Sequence, residues 1–205
     1  MPELLLFDLG GVLIEVSTAT LREIGGRDKT DVELWETWLT CPVVEEYESG
    51  KIGNEAFAAG VLETFRSAMP ADEFLRSFTA WPIGFYPGMT ELLRKLRHDF
   101  KLAYLSNSNP LHYPRFQKEW QLDTYFDYHF ASYQMGCVKP QRQIFEMVLE
   151  TLPFEAEDIF FVDDNRLNVE AARSLGIEAE IVRGPTELLQ AMQNRGIVRH
   201  RGKNA

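Results

Sequence analysis

The chain has 205 residues, 45% of them hydrophobic, and a formal net charge of -10, with a pI of about 4.9. That length and apolar content build one substantial core, alone or with a smaller insert, and exclude a disordered chain. The negative charge sets the surface against nucleic acid and acidic lipid, so neither is an expected partner, and any anion site must gather its cations locally.

The first element is an apolar run, Leu4-Leu5-Leu6-Phe7, that ends on Asp8 and breaks at Gly10-Gly11. Such a run bounded by glycines predicts a strand covered on both faces, with Asp8 at its carboxyl end, where open α/β sheets bind their ligands. From Ser17 to Trp81 the apolar residues recur at spacings of three and four: Leu21 and Ile24, Leu34 and Trp38, Phe57, Val61 and Phe65, Phe74 and Phe78. Breaks at Gly25-Gly26, Cys41-Pro42, Gly50, Gly53-Asn54 and Pro70 divide this stretch into four or five short helices, enough for a small bundle. Its aromatic residues, Trp35, Trp38, Tyr47, Phe57, Phe65, Phe74, Phe78 and Trp81, sit at helical spacing and read as core.

After Pro82 short apolar runs alternate with amphipathic stretches. Strands are expected at Leu102–Leu105, Tyr128–Ala131, Ile159–Val162 and Ala179–Val182. Helices are expected at Met89–His98, Pro110–Trp120, Gln141–Leu152 and Leu167–Leu175, and from Pro185 onward. Repeated β-α units predict an α/β fold, a doubly wound parallel sheet of Rossmann-like type. Residues 1–16 and 82–205 then form the core domain and 17–81 an inserted helical cap over the strand ends. The basic tail Arg199–Ala205 reads as frayed. Cys41 and Cys137 show no metal-ligand spacing and are expected as free thiols. No segment reaches the roughly 20 apolar residues of a membrane span, and the start lacks the basic stretch of a secretory leader, so a cytoplasmic protein is expected.

Three later runs end on polar residues: Leu105 leads to Ser106-Asn107, Val138 to Lys139-Pro140, and Val162 to Asp163-Asp164-Asn165, with Asn168 one helical turn on. Singly, each also fits a turn or a helix cap. Together, at neighbouring strand ends, they supply a carboxylate nucleophile, a hydroxyl and amide for anionic oxygens, a lysine charge and paired acids for magnesium. With Phe7-Asp8-Leu9-Gly10-Gly11-Val12 as the first motif, the set resembles the haloacid dehalogenase-like hydrolases, in the branch with a helical cap inserted after that motif. The cap text Tyr47-Glu48-Ser49-Gly50-Lys51-Ile52-Gly53-Asn54-Glu55-Ala56-Phe57 is similar to that of small bacterial sugar-phosphate phosphatases, including an α-glucose-1-phosphate phosphatase.

The resemblance implies a magnesium-dependent phosphatase of small phosphorylated metabolites, including sugar 1-phosphates, acting as a monomer or weak homodimer. Asp8 would form the aspartyl-phosphate, while Ser106 and Asn107 would hold the phosphoryl group. Lys139 would neutralise nucleophile and phosphate. Asp8, the carbonyl of Gly10, Asp164 and, as a further or outer ligand, Asp163 would hold magnesium, with Asn168 orienting the acidic pair. The family commonly has an acid at the position of Gly10, and proton transfer by such a group is worth about 10²- to 10⁴-fold. Either the substrate has a better leaving group, such as an anomeric sugar phosphate, or another side chain or an ordered water fills the space at Gly10. His112, Glu46 and Tyr47 are the candidate side chains, and Arg22, Glu46 and Lys51 the candidate substrate readers on the cap. Two other readings share the scaffold: a weak or inactive phosphometabolite- or protein-binding relative, suggested by Gly10, and a metal-independent 2-haloacid dehalogenase, against which the Asp163-Asp164 pair argues.

Overall fold

The computed structural model describes residues 1–26 and 28–198, so the basic tail lies outside the described residues. In chain order the strands are β1 (Leu4–Phe7), β2 (Ile14–Val16), β3 (Pro82–Phe85), β4 (Lys101–Ser106), β5 (Tyr128–Ala131), β6 (Ile159–Asp163) and β7 (Glu178–Ile181). Five of them form a parallel sheet in the order β5-β4-β1-β6-β7. β1 lies at the centre, with Phe7 beside Tyr104 on one neighbour and Val162 on the other. The chain winds outward first through β4 and β5, then returns to β6 and β7. The crevice at the carboxyl ends of β1, β4 and β6 is therefore the switch point of the sheet.

Period-2 alternation divides the strand side chains between two faces. Leu5, Phe7, Leu102, Tyr104, Phe160 and Val162 join a core with α6 (Met89–Leu96) and α11 (Gly184–Asn194). Leu4, Leu6, Ala103, Leu105, Ile159 and Phe161 join the opposite core, with α9 (Arg142–Thr151) and α10 (Arg166–Arg173). All four residues of β1 are fully buried, which explains its unbroken apolar text.

Between β2 and β3 lie five helices: α1 (Ala19–Gly25), α2 (Asp31–Leu39), α3 (Pro42–Glu48), α4 (Asn54–Phe65) and α5 (Ala71–Thr79). They enclose a separate apolar cluster in which Trp38, Tyr47, Phe57, Phe74, Phe78 and Trp81 are buried. Local capping starts α2, where the Thr30 side chain accepts from the Glu33 N–H and the Glu33 carboxylate accepts from that of Thr30. The sequence reading missed the antiparallel ribbon of β2 and β3 that carries the chain into and out of these helices. Three- and four-residue strands carry too little alternation to be seen in the text. The expected helix over 110–120 is shorter, α7 (Tyr113–Lys118), and an unforeseen one-turn helix, α8 (Ser132–Met135), follows β5. Among the described residues no helix is long and apolar enough to cross a membrane.

Candidate active site

Asp8 follows β1 directly, and its main-chain N–H donates to Val162 O of β6 at 2.9 Å. Its carboxylate accepts from Lys139 Nζ through Oδ1 at 2.7 Å. Lys139, 131 residues away in sequence, also donates to Asp163 Oδ2 at 2.6 Å and to Leu105 O at 2.8 Å. All three hydrogens of the ammonium are thereby used on the protein. Burial works against the charged lysine, but Asp163 and Asp8 outweigh it and hold its pKa above the ordinary lysine value.

Asp163 is fully buried and fully engaged. Its Oδ1 accepts from Asn165 N at 2.8 Å and Asn168 Nδ2 at 2.9 Å; its Oδ2 accepts from Lys139 and again from Asn168, at 3.0 Å. This carboxylate orients the lysine, and Asn168 orients the carboxylate. Both oxygens of Asp163 are thus already occupied by protein donors. Asn107 is similarly committed. Its Nδ2 donates to Lys139 O at 3.0 Å and its Oδ1 accepts from Lys139 N at 2.8 Å, so its side chain clamps the lysine's backbone instead of facing a ligand. The Ser106 hydroxyl, also buried, makes one long contact of 3.4 Å, to Asn107 O.

Asp164 completes the cluster. One oxygen from each of Asp8, Asp163 and Asp164 lies within 4.8 Å of the others. Burial and the neighbouring Asp163 and Asp164 push Asp8 up to about 7 against the opposing Lys139. Burial and Asp163 likewise push Asp164 up to about 6 against Lys139 and Arg183. One lysine does not compensate three acids, and Asp164 has no side-chain partner among the described residues. An oxygen-lined, underneutralised site of this kind suits a hard divalent cation such as magnesium. Gly11, which motif reading passes over, makes the approach possible. It has φ +74°, and a Cβ there would lie 2.6 Å from Asp164 Oδ2. At Gly10 a Cβ would meet only Val16 Cγ2, at 3.3 Å, so the space beside Asp8 is otherwise open.

The residues expected to replace the missing acid lie elsewhere. His112 is buried, with Nε2 2.6 Å from Phe78 O and Nδ1 3.0 Å from Asn109 Nδ2. This pairing fits a neutral ring that donates to the carbonyl and accepts from the amide, and burial lowers its pKa to about 4. The Tyr47 ring stacks on Phe57 at 4.0 Å and its hydroxyl donates to Asn54 Oδ1 at 2.6 Å, stapling α3 to α4. Glu46 is exposed. Of the expected substrate readers, Arg22 pairs with Asp31 at the surface and Lys51 is exposed beside the α3–α4 turn.

The cap acid on which Asp8 and Lys139 act is Glu48, the last residue of α3. Burial pushes its carboxyl up to about 8, with Lys139 lowering it and Asp8 raising it. The sequence signal is its place four residues after the buried Val44, on the inward stripe of the helix.

The model of the haloacid dehalogenase-like hydrolases matches residues 2–176. The chain belongs to that family. Among this hydrolase's relatives is the D-ribitol-5-phosphate phosphatase of Bacteroides thetaiotaomicron, 27% identical over 190 residues, 85% of this chain and 88% of that one. A sesquiterpene phosphatase of Aspergillus oryzae is 29% identical over 180 residues, 84% of this chain and 85% of its own. A haloacid dehalogenase family enzyme of Bacteroides thetaiotaomicron, solved with magnesium and inorganic phosphate, superposes with a TM-score of 0.72. It is 25% identical, over 89% of this chain and 95% of that one.

Proposed function

We propose that this hydrolase is a magnesium-dependent phosphatase of small phosphorylated metabolites, acting through an aspartyl-phosphate on Asp8. The observation that carries the proposal is the Asp8 carboxylate itself. One oxygen is anchored by Lys139, while the other has no hydrogen-bond partner among the described residues and stands beside the unpartnered Asp164. A carboxylate and a phosphate monoester repel each other, so attack requires their charge to be cancelled first. Asp8, the main-chain carbonyl of Gly10 and Asp164 are the residues that would hold magnesium, with Asp163 behind them. Bound there, magnesium supplies positive charge to the phosphate oxygens. Lys139 aims the free Asp8 oxygen and adds its charge at short range. Ser106 and the main chain at Asn107 receive the phosphoryl oxygens, since the Asn107 side chain is spent on Lys139.

We further propose that residues 17–81 act as a cap on a core made of 1–16 and 82–205. The separate aromatic cluster of the helices supports this division. So does the polar tie at the seam, where Arg115 Nη1 donates to Thr79 O at 2.8 Å. A cap over the strand ends favours small substrates, and phosphorylated sugars or polyols, sugar 1-phosphates among them, are the class proposed. The D-ribitol-5-phosphate phosphatase relative supports the polyol part of that choice. The test is hydrolysis of p-nitrophenyl phosphate with and without magnesium by the wild type and Asp8→Asn. Activity that requires magnesium and disappears in Asp8→Asn is expected; equal rates in the two proteins refute the proposal.

A further inference from the structure

The space at Gly10 leaves the chemistry without its usual proton carrier, and the end of α3 brings in a carboxyl group on which Asp8 and Lys139 act. Helix α3 ends in a turn docked tightly on the core. Ser132 Oγ donates to Glu48 O at 2.6 Å and accepts from Ser108 N at 2.9 Å, tying the end of α3 to the loop that follows Ser106. Two residues on, Gly50 has φ +73°, and a Cβ there would lie 2.4 Å from Tyr133 O, so the turn lies directly on the backbone of α8. Gln141 Nε2 adds a link to Glu45 Oε1 at 2.8 Å. These contacts fix the backbone of Glu48 while its carboxyl makes no hydrogen bond among the described residues. Asp8 and Lys139 are the charged groups that act on it.

Resting on the phosphatase reading, we infer that Glu48, brought by the cap, is the general acid and base of this enzyme in place of the acid absent at Gly10. In the first half-reaction an Asp8 oxygen forms a bond to phosphorus and the bond from phosphorus to the ester oxygen breaks. The released electron pair on that oxygen takes the Glu48 proton, so the alcohol leaves neutral and Glu48 becomes a carboxylate. In the second, Glu48 removes a proton from water as the water oxygen bonds to phosphorus. The Asp8–phosphorus bond breaks, yielding inorganic phosphate, free Asp8 and protonated Glu48. A carboxyl group with no hydrogen-bond partner of its own can give its proton in the first step and take one in the second. Because the carrier sits on the cap, it reaches the ester oxygen only with the cap seated on the core.

The experiment compares wild type and Glu48→Gln on dinitrophenyl phosphate, whose leaving group needs no proton, and on a series of alkyl phosphates. Glu48→Gln is expected to release the first equivalent of dinitrophenol at the wild-type rate and then stall, with phosphate trapped on Asp8. On alkyl phosphates its turnover falls by about 10²-fold or more, and rate depends more steeply on leaving-group pKa. Gly10→Asp added to Glu48→Gln restores part of the alkyl phosphate turnover, since only Val16 must yield. An unchanged leaving-group dependence in Glu48→Gln, or a change in KM alone, overturns the assignment. If Glu48→Gln loses the burst as well, the double variant decides: restored turnover upholds the assignment and none overturns it. Activity that persists in Asp8→Asn refutes the phosphatase reading itself, whatever Glu48 does.

Discussion

Removing one hydroxyl tests how the cap is held. Ser132 is completely buried, and its Oγ serves the Glu48 carbonyl at 2.6 Å and the Ser108 N–H at 2.9 Å, with Ser108 O a further 3.2 Å contact. Ser132→Ala deletes no carbon, so the cavity cost is negligible, but it leaves a buried donor and a buried acceptor unpaired. A net hydrogen bond is worth about 1 kcal/mol and an unsatisfied buried group costs about 1–3 kcal/mol. Together these give roughly 3 kcal/mol, which for a chain of this size lowers Tm by about 6–12 °C. Urea unfolding followed by tryptophan fluorescence measures the loss; three of the four tryptophans, Trp35, Trp38 and Trp81, belong to the helical cluster or pack against it. Ser174→Ala is the control. Its hydroxyl caps Ala171 O on the exposed surface, and its loss is expected to stay within about 0.5 kcal/mol. Two variants of equal stability refute the claim that the Ser132 hydroxyl holds cap to core.

Gly11→Ala forces a side chain into φ +74° and within 2.6 Å of Asp164 Oδ2. It is expected to lose about 1–2 kcal/mol of stability and to need at least about 10-fold more magnesium for half-maximal activity. A magnesium titration beside Gly136→Ala, which has a similar φ of +78° but open space around its Cβ, separates the clash from the strain. For His112, the folded pKa of about 4 lies below the ordinary value of 6.5. Between those pH values the unfolded chain binds the proton and the fold does not, so stability falls as pH drops from 6.5 toward 4. The full difference is about 3 kcal/mol. His112→Gln should show a correspondingly shallower decline in urea melts across that range, and parallel profiles would refute the buried neutral ring.

The sequence alone determined the scaffold and pointed to the residues proposed to react. Each of Asp8, Ser106, Lys139 and Asp163-Asp164 follows an apolar run or sits before a distinctive proline, and those signals are local. A parallel sheet with β1 at its centre then brings such strand ends together by geometry. Gly10 likewise announced a missing acid. Tertiary structure decided what each side chain does once there, because its partners are remote in sequence. The Asn107 side chain meets the backbone of Lys139 32 residues away, which leaves the main chain of Asn107 for the proposed phosphate contact. Lys139 spends its three hydrogens on Asp8, Asp163 and Leu105, and Asp163 is consumed in holding it. His112 and Tyr47, plausible proton donors in the text, are neutralised or stapled by Phe78, Asn109 and Asn54. Glu48 carried only the weak local mark of its place one turn after Val44, since the role proposed for it depends on Ser132, 84 residues later, docking α3 onto the core. Local text carries strand ends and periodicity, whereas hydrogen bonds across tens of residues depend on how the elements are stacked.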